Sequence, residues 1–217
     1  MKFNHTTFFN QYKQAFNTKL TQSQVDGLES ILTSIEQDPG ITDVRWAAYM
    51  FATVKHECAD RWQPIEEFGK GKGRKYGVAV TVTGSDGKKY TNVYYGRGYV
   101  QLTWDYNYKN LSTAIGIGDT MYINPALALD PSDAYKVMSY GMRNGTFTGK
   151  KLADYINGQT CDYKNARRII NGLDQWQLIQ GYAQKFQSIL QASLQTDAPP
   201  AAALSDVQPD APDAPTG

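Results

Sequence analysis

The sequence predicts a mainly α-helical domain that is interrupted by one small β-hairpin. Apolar residues recur at spacings of three and four along most of the first 195 residues, which is the period of an amphipathic helix. Alternation typical of a strand occurs in one short segment, Val78 to Thr83. A Gly-Ser-Asp-Gly turn at 84–87 and a return strand from Tyr90 to Tyr95 complete the predicted hairpin.

The first 39 residues predict two short amphipathic helices. Thr21 is placed to cap the second one, and the break at Asp38-Pro39-Gly40 ends it. Thr42 or Asp43 caps a third helix, which runs to about Ala59. The apolar faces of the first two helices comprise Phe3, Phe8, Phe9, Tyr12 and Phe16, then Val25, Leu28, Ile31, Leu32 and Ile35.

The rest of the chain continues this helical pattern after a polar, Gly- and Lys-rich loop at 64–76. Ser132 is the expected cap of one later helix, and Gly145 is its expected stop. The predicted helices span 105–115, 132–144, 149–156, 162–171 and 173–194.

Composition divides the chain into a domain at 1–195 and a tail at 196–217. The tail is rich in Ala, Pro and Asp without aromatic residues, so it is predicted to be disordered. It holds four of the 21 acidic residues and no Lys or Arg. Residues 1–195 therefore carry all 22 basic and 17 acidic residues, a formal charge of +5. A mildly basic body suits an anionic polymer.

Several classes of protein are disfavoured. Two cysteines do not make a disulfide framework, and the N-terminal residues lack the apolar stretch of a secretory signal. The sequence contains no run of about eighteen apolar residues, which is the length that a membrane-spanning helix needs. His56 lacks the second histidine of a zinc-protease helix, and neither a nucleophile elbow nor a phosphate-binding glycine loop occurs. We expect no metal, no cofactor, no nucleic-acid partner and no membrane insertion.

Glu57 is the first candidate for acid chemistry. On the predicted third helix, Trp46, Met50, Val54 and Glu57 follow one another at helical spacing, so Glu57 continues an apolar row. It also lies near the helix C-terminus, where the helix dipole disfavours an anion. Both effects favour the protonated carboxyl that a general acid needs. A surface glutamate at a frayed helix end is equally consistent with the spacing.

Glu66 and Glu67 follow nine and ten residues later and supply a second carboxylate. Two carboxyl groups separated by a short loop can face each other across a cleft. Alternatively, one of the two glutamates forms ion pairs with the neighbouring cations Lys70, Lys72 and Arg74. The sequence leaves open which of the two glutamates has a chemical role.

A segment from Tyr94 to Tyr108, YYGRGYVQLTWDYNY, concentrates polar and aromatic groups. A planar cation between two glycines can organise carboxylates or bind a ligand. Flat rings and short amides are common in sugar-binding clefts. The candidate substrate-binding residues here are Tyr95, Arg97, Gln101, Trp104 and Asn107, with Thr103 as a group that positions water.

Four segments, in order, resemble family 19 glycoside hydrolases, which include chitinases and phage lysins. They are FATVKHE at 51–57, the Tyr94–Tyr108 segment, Asn124-Pro125 with Asp130-Pro131, and RIING at 168–172. The resemblance covers about residues 40–190. It implies a lysozyme-like, bilobal helical fold with the hairpin near a cleft, and hydrolysis with inversion, in which the two carboxyls stand roughly 6.5–9.5 Å apart.

Carried over by this resemblance, Glu57 matches the general acid and Glu66 the general base, with Glu67 in reserve. Thr103 matches the residue that positions the attacking water. Asn107 and Asn171 match amides of the substrate cleft. One departure is that the family's late arginine has no counterpart near Ile179.

The resulting expectation is a monomeric lysozyme-type endolysin of a bacteriophage. It would cleave β-1,4 bonds between N-acetylmuramic acid and N-acetylglucosamine in peptidoglycan. It would be made in the host cytoplasm and delivered to the periplasm and cell wall by a separate system. The alternatives are a chitinase acting on chitin oligomers, a lytic transglycosylase, and an inactive glycan-binding or virion structural domain.

Overall fold

Nine α-helices and three two-stranded antiparallel sheets make up residues 1–195, the part of the chain that the computed structural model describes. The tail predicted at 196–217 lies outside the described residues. The helices are α1 (His5–Phe16), α2 (Gln22–Gln37), α3 (Val44–Glu57), α4 (Asp105–Ala114), α5 (Thr120–Ile123), α6 (Pro131–Asn144), α7 (Leu152–Tyr155), α8 (Tyr163–Ala166) and α9 (Trp176–Ser193). The strands are β1 (Ile65–Glu66), β2 (Val80–Thr83), β3 (Lys89–Asn92), β4 (Arg97–Gly98), β5 (Ile156–Asn157) and β6 (Thr160–Cys161).

Helix α3 forms the centre of the core and packs most extensively against α9. Every residue from Ala47 to Lys55 is buried, because α3 is covered on all sides. An aromatic cluster joins α3 to α1 and α9, with the rings of Phe51 and Phe186 stacked at 5.1 Å and Phe51 5.4 Å from Phe8. Burial of such rings is a main source of stability. The end of α3, where Glu57 lies, is therefore rigidly supported.

Local capping explains where the first helices begin. Thr21 caps α2 in a capping box with Gln24, as predicted, and Asp43 caps α3 by accepting from the backbone N–H of Arg45 at 2.9 Å. The prediction that Ser132 caps α6 is wrong. Asp130 is the cap and accepts from two backbone N–H groups, because Pro131 fits the first helical position, where no N–H is needed.

The late helices are shorter than predicted. The segment 149–156 is helical only in α7, and the segment 162–171 divides into α8 and a 3₁₀ turn at Arg167–Ile169. Helix α5 and a 3₁₀ helix at Pro125–Leu129 were not predicted. Short turns of this kind depend on tertiary contacts rather than on periodicity, so sequence patterns do not show them.

The predicted hairpin is present as β2 and β3, with Val80 paired to Asn92 and Thr83 to Lys89. It is held against α5, since the Asn92 amide donates to the carbonyl of Ile123 at 2.9 Å. The pairing of β1 with β4 was not predicted. It sets Ile65 opposite Gly98 and Glu66 opposite Arg97, which brings the acidic loop to the Tyr94–Tyr108 segment. Within residues 1–195, no helix has both the length and the apolar character to cross a membrane.

Candidate active site

Glu57 is the last residue of α3, and its side chain is 18% exposed. Arg167 Nη1 donates to Glu57 Oε1 at 2.7 Å. The guanidinium is only 2% exposed, and its Nε donates to the carbonyl oxygen of Asp174 at 2.8 Å. Glu57 Oε2 has no hydrogen-bond partner among residues 1–195. One carboxyl oxygen is thus fixed by the protein, and the other is left for a ligand.

Arg167 is a functional candidate that sequence reasoning missed. It lies on the 3₁₀ turn after α8, immediately before the RIING motif, whereas an arginine was sought near Ile179. The sequence shows Arg167 and Arg168 side by side, and only the fold buries Arg167 and exposes Arg168. A buried charge needs a partner, and Glu57 is that partner.

Glu66 ends β1, and its carboxylate is held by three groups. Tyr95 donates its hydroxyl to Glu66 Oε1 at 2.6 Å, Lys70 Nζ lies 3.3 Å from Oε2, and Arg97 Nε lies 4.0 Å from Oε1. The Tyr95 hydrogen bond is the largest effect on Glu66, and together with Lys70 and Arg97 it outweighs the opposing effect of burial and lowers the pKa of Glu66 below its ordinary value. The side chain is 36% exposed, so this carboxylate is charged and open to water.

Glu67 is engaged on both oxygens by the protein. Tyr76 donates its hydroxyl to Oε1 at 2.8 Å, and the backbone N–H of Gly96 donates to Oε2 at 3.0 Å. The Glu67 N–H in turn donates to the Gly96 carbonyl at 2.7 Å. Glu67 therefore fastens the loop to the Tyr94–Tyr108 segment, while the Oε2 of Glu66 contacts only the exposed side chain of Lys70.

Arg97 was predicted to bind substrate, and the structure places it beneath the site. The residue is 7% exposed, and its guanidinium carbon lies 3.5 Å from the centre of the Tyr95 ring. Nη1 donates to the carbonyl of Val93 at 3.1 Å and to the Tyr108 hydroxyl at 3.0 Å. Arg97 thus supports Tyr95 and Glu66 from below. Tyr95 is itself buried, and its hydroxyl is committed to Glu66.

The rest of the segment forms a tight turn into α4. Gln101 donates to the carbonyl of Ile65 at 3.2 Å and so ties this turn to β1. Gln101 and Trp104 both have left-handed backbone conformations, with φ of 54° and 72°, which are strained for residues with a side chain. The Asn107 amide donates to the carbonyl of Thr103 at 3.0 Å. The Thr103 hydroxyl makes no hydrogen bond within the described part of the chain and is available to a water.

The remaining predicted residues are more open. The Trp104 ring is half-buried and meets Tyr76 edge to face at 5.5 Å. Asn171 is exposed, and its backbone N–H donates to the carbonyl of Arg167 at 3.0 Å, on the Glu57 side of the site. The structure therefore groups the candidates in two sets. Asn171 lies with Glu57 and Arg167, whereas Tyr95 and Arg97 contact Glu66, Gln101 binds the neighbouring Ile65, and Trp104 contacts Tyr76, the partner of Glu67.

A groove of about 840 Å³ adjoins Glu66. Its walls include Arg61, Gln63, Phe68 and Lys70, together with Gln24 from the first turn of α2. Phe68 is fully exposed, which is unusual for a ring of this size. Within residues 1–195, no cluster of three or more His, Cys, Asp or Glu side chains has the arrangement of a metal site.

Comparison with known proteins places the fold. No model of a protein family matches the sequence, and no curated protein matches it. Among solved structures, a bacterial family 19 chitinase superposes with a TM-score of 0.59 at 22% identity, over 86% of this chain and 94% of that one. The chain has the fold of a family 19 chitinase. The predicted mainly α, lysozyme-like class is thereby confirmed.

Two further solved structures match at lower similarity. Chitinase C from Streptomyces griseus HUT6037 is 21% identical, and a mutant of chitinase C is 22% identical. Each superposes with a TM-score of 0.49 over 84% of this chain and 74% of the other.

Proposed function

We propose that the protein is a peptidoglycan hydrolase of the endolysin type. It cleaves the β-1,4 bond between N-acetylmuramic acid and N-acetylglucosamine with inversion at the anomeric carbon. One observation carries this proposal: Glu57 is held by the buried Arg167 and Glu66 by the hydroxyl of Tyr95, while both carboxyl side chains remain partly exposed, by 18% and 36%. Two carboxyls in different environments are what acid-base hydrolysis of a glycoside requires.

Glu57 is the proposed general acid. Its free Oε2 delivers a proton to the glycosidic oxygen as the bond to the anomeric carbon breaks. Proton transfer leaves a carboxylate, and the Arg167 guanidinium at 2.7 Å stabilises that charge. Because Arg167 is buried and anchored to Asp174, it needs no rearrangement when the charge develops.

Glu66 is the proposed general base. The Tyr95 hydrogen bond and the nearby cations keep its pKa low, so it is ionised at neutral pH and can accept a proton from water. The Thr103 hydroxyl orients that water toward the anomeric carbon. Glu67 is a weaker candidate for this role because the Tyr76 hydroxyl and the Gly96 backbone N–H bind its two oxygens, whereas the second oxygen of Glu66 contacts only the exposed side chain of Lys70.

The choice of peptidoglycan is supported by charge. Residues 1–195 have a formal charge of +5, and bacterial cell wall is anionic. A chitinase is the second candidate, because the structures with the same fold are named as chitinases. We further propose that a phage produces the protein in the cytoplasm of its bacterial host, as a monomer with two free thiols, and that a separate system delivers it to the wall.

Mass spectrometry of digested peptidoglycan tests the reaction and its residues together. The parent protein is compared with Glu57→Gln, Glu66→Gln and Glu67→Gln on purified sacculi, with colloidal chitin in parallel. We expect reducing muropeptides from the parent. Loss of general acid or base catalysis should slow Glu57→Gln and Glu66→Gln by about 10²–10⁴-fold. Glu67→Gln is the matched control and should lose much less activity, since the side-chain amide oxygen of glutamine can still accept the hydrogen bond from the backbone N–H of Gly96.

Each alternative predicts a different result. Hydrolysis of chitin alone would establish the chitinase. Products with a 1,6-anhydro ring, formed without Glu66, would establish a lytic transglycosylase. Absence of cleavage of both polymers by a folded parent protein would refute the enzymatic proposal and leave a glycan-binding domain. An unchanged rate in Glu57→Gln would refute the assignment of Glu57 as the general acid.

A further inference from the structure

Four cations lie within six residues beside the candidate base. We name the segment 69–75, which reads GKGKGRK, the basic loop. It contains Lys70, Lys72, Arg74 and Lys75, and all four side chains are exposed. The loop leads directly from Glu66 and Glu67 at one end to Tyr76 at the other. Any charged polymer that reaches Glu66 therefore passes close to it.

The basic loop is built from consecutive turns. The backbone N–H of Lys70 donates to the carbonyl of Glu67 at 3.0 Å, that of Lys72 to Gly69 at 2.9 Å, and that of Arg74 to Gly71 at 2.9 Å. Its glycines adopt positive φ, which lets the chain reverse repeatedly. Gly71 lies so close to Gly77 that an added Cβ would be 2.8 Å from the Gly77 Cα. The fold therefore presents these cations in a defined arrangement.

Most of this charge has no partner within residues 1–195. Lys70 pairs with Glu66 at 3.3 Å, whereas Lys72, Arg74 and Lys75 have no carboxylate within 4.0 Å. The nearest acidic groups are already engaged, Glu67 by Tyr76 and Gly96. Like charges concentrated in this way repel one another and do not stabilise a fold. The arrangement favours an anionic ligand instead.

The groove beside Glu66 extends the same chemistry. Arg61 and Lys70 line it together with Phe68, a ring that can contact a sugar face. Three acidic residues also line the groove, and each has a partner in the protein: Asp60 pairs with Lys55 at 2.5 Å, Glu66 with Lys70, and Glu67 with Tyr76 and Gly96. The groove meets the basic loop at Gly69 and Lys70, so a glycan strand that leaves the candidate base along the groove would start beside this end of the loop.

We propose that the basic loop binds the carboxylates that peptidoglycan carries on its stem peptides and that chitin lacks. This inference rests on the proposed function and names what selects its substrate. The loop contributes to substrate binding rather than to chemistry. Attraction between exposed charges is screened by salt, so its contribution should be largest at low ionic strength.

Co-sedimentation with insoluble sacculi free of teichoic acid tests this inference without relying on activity. The protein carries Glu57→Gln so that the sacculi stay intact, with or without Lys72→Gln, Arg74→Gln and Lys75→Gln. A matched control loses the same charge elsewhere, through Lys13→Gln, Lys19→Gln and Lys150→Gln, which are exposed and unpaired within the described residues. A second preparation of sacculi has its carboxylates converted to neutral amides with carbodiimide and an amine.

We expect the loop variant to weaken binding to native sacculi about tenfold at low salt, from three exposed charge contacts of ordinary strength. The control should weaken it less than twofold. On amidated sacculi, the loop variant and its parent should bind alike. Equal weakening by the control, or a loop effect that persists on amidated sacculi, would overturn the inference. Sacculi that are bound in this way but never cleaved by the native protein would refute the proposed function alone.

Discussion

At the scale of single residues, the candidate site depends on how the protein holds each carboxyl group. Arg167 takes one oxygen of Glu57, and Tyr95 takes one oxygen of Glu66. Both partners are buried, so their positions are set by packing rather than by solvent. The Tyr76 hydroxyl donates a hydrogen bond to Glu67, as the Tyr95 hydroxyl does to Glu66. The backbone N–H of Gly96 donates to the second oxygen of Glu67 as well. The second oxygen of Glu66 contacts only the exposed side chain of Lys70, whereas the second oxygen of Glu67 is bound by a backbone N–H; this difference is the reason to assign the base to Glu66.

Tyr95→Phe removes the hydrogen bond that contributes most to the low pKa of Glu66. The pKa of Glu66 should then rise toward its ordinary value. Since a base must be deprotonated, the acidic limb of the kcat/KM profile should move to higher pH, and activity should be lost on the acid side first. The measurement is a pH-rate profile on peptidoglycan. The phenyl ring is retained, so contact with Arg97 persists.

Tyr76→Phe is the matched control for that profile, because it removes the equivalent hydroxyl from Glu67. Its acidic limb should stay where it is in the parent protein. If the limb moves in Tyr76→Phe and stays in Tyr95→Phe, then Glu67 is the base and the assignment to Glu66 is wrong.

At the scale of elements, the turn between α3 and β1 sets the path from Glu57 to Glu66. Ala59, Asp60 and Trp62 all have left-handed backbone conformations there, with φ of 47°, 63° and 60°. Helix α2 presses on this turn at Gly27, where an added Cβ would lie 2.0 Å from the carbonyl oxygen of Trp62. A glycine in the middle of a helix is unfavourable by itself, so this one is explained by the close approach it permits.

Gly27→Ala should lower the free energy of unfolding by about 2–3 kcal/mol, because a backbone carbonyl cannot yield to the new methyl group. It should also reduce activity by displacing the turn. Gly181→Ala in α9 is the matched control, since nothing lies within 4 Å of its added Cβ. There the substitution should raise stability by about 0.5–1 kcal/mol. Urea unfolding measures both, and equal effects would contradict the close-approach argument.

At the scale of the whole molecule, the two ends of the described chain are joined. The backbone N–H of Asn4 donates to the carbonyl of Ser193 at 2.7 Å, and that of Gln195 to Lys2 at 2.8 Å. His5 then connects α1 to α2, with its ring nitrogens 2.6 Å from Glu29 and 3.2 Å from Glu36. These contacts enclose α3, so the support of Glu57 depends on closure of the entire chain.

We name the contacts of His5 with Glu29 and Glu36 the histidine clamp. These contacts predict that the stability of the protein depends on pH. Burial alone lowers the pKa of His5, but the hydrogen bonds and charges of Glu29 and Glu36 outweigh burial and raise it above 6.5. The clamp therefore contributes its full stability below pH 6.5 and loses it as pH rises through the raised pKa. Urea unfolding between pH 6 and 8 should show stability falling with pH, and His5→Asn or Glu29→Gln should flatten that slope. An unchanged slope in His5→Asn would refute the clamp.

Prediction from sequence succeeded where the physical cause is local. Thr21 and Asp43 cap their helices because a cap needs only a side chain three or so residues from the N–H groups it satisfies. It failed at Ser132, because Asp130 is also a good capping residue and Pro131 between them fits the first position of the helix. The strands β1 and β4 were not predicted, because a strand of two residues is too short to show an alternation of apolar and polar side chains.

By itself, the sequence determined the helical class, the hairpin and the three carboxyl groups worth testing, since all of these follow from periodicity and residue type. Only the tertiary structure decided what surrounds each carboxyl group. Arg167 reaches Glu57 across 110 positions, and Tyr95 reaches Glu66 across 29. Contacts between residues so far apart in sequence depend on how the whole chain packs, and local sequence patterns do not show that packing. The distinction between Glu66 and Glu67, adjacent and identical in sequence, comes from those contacts alone.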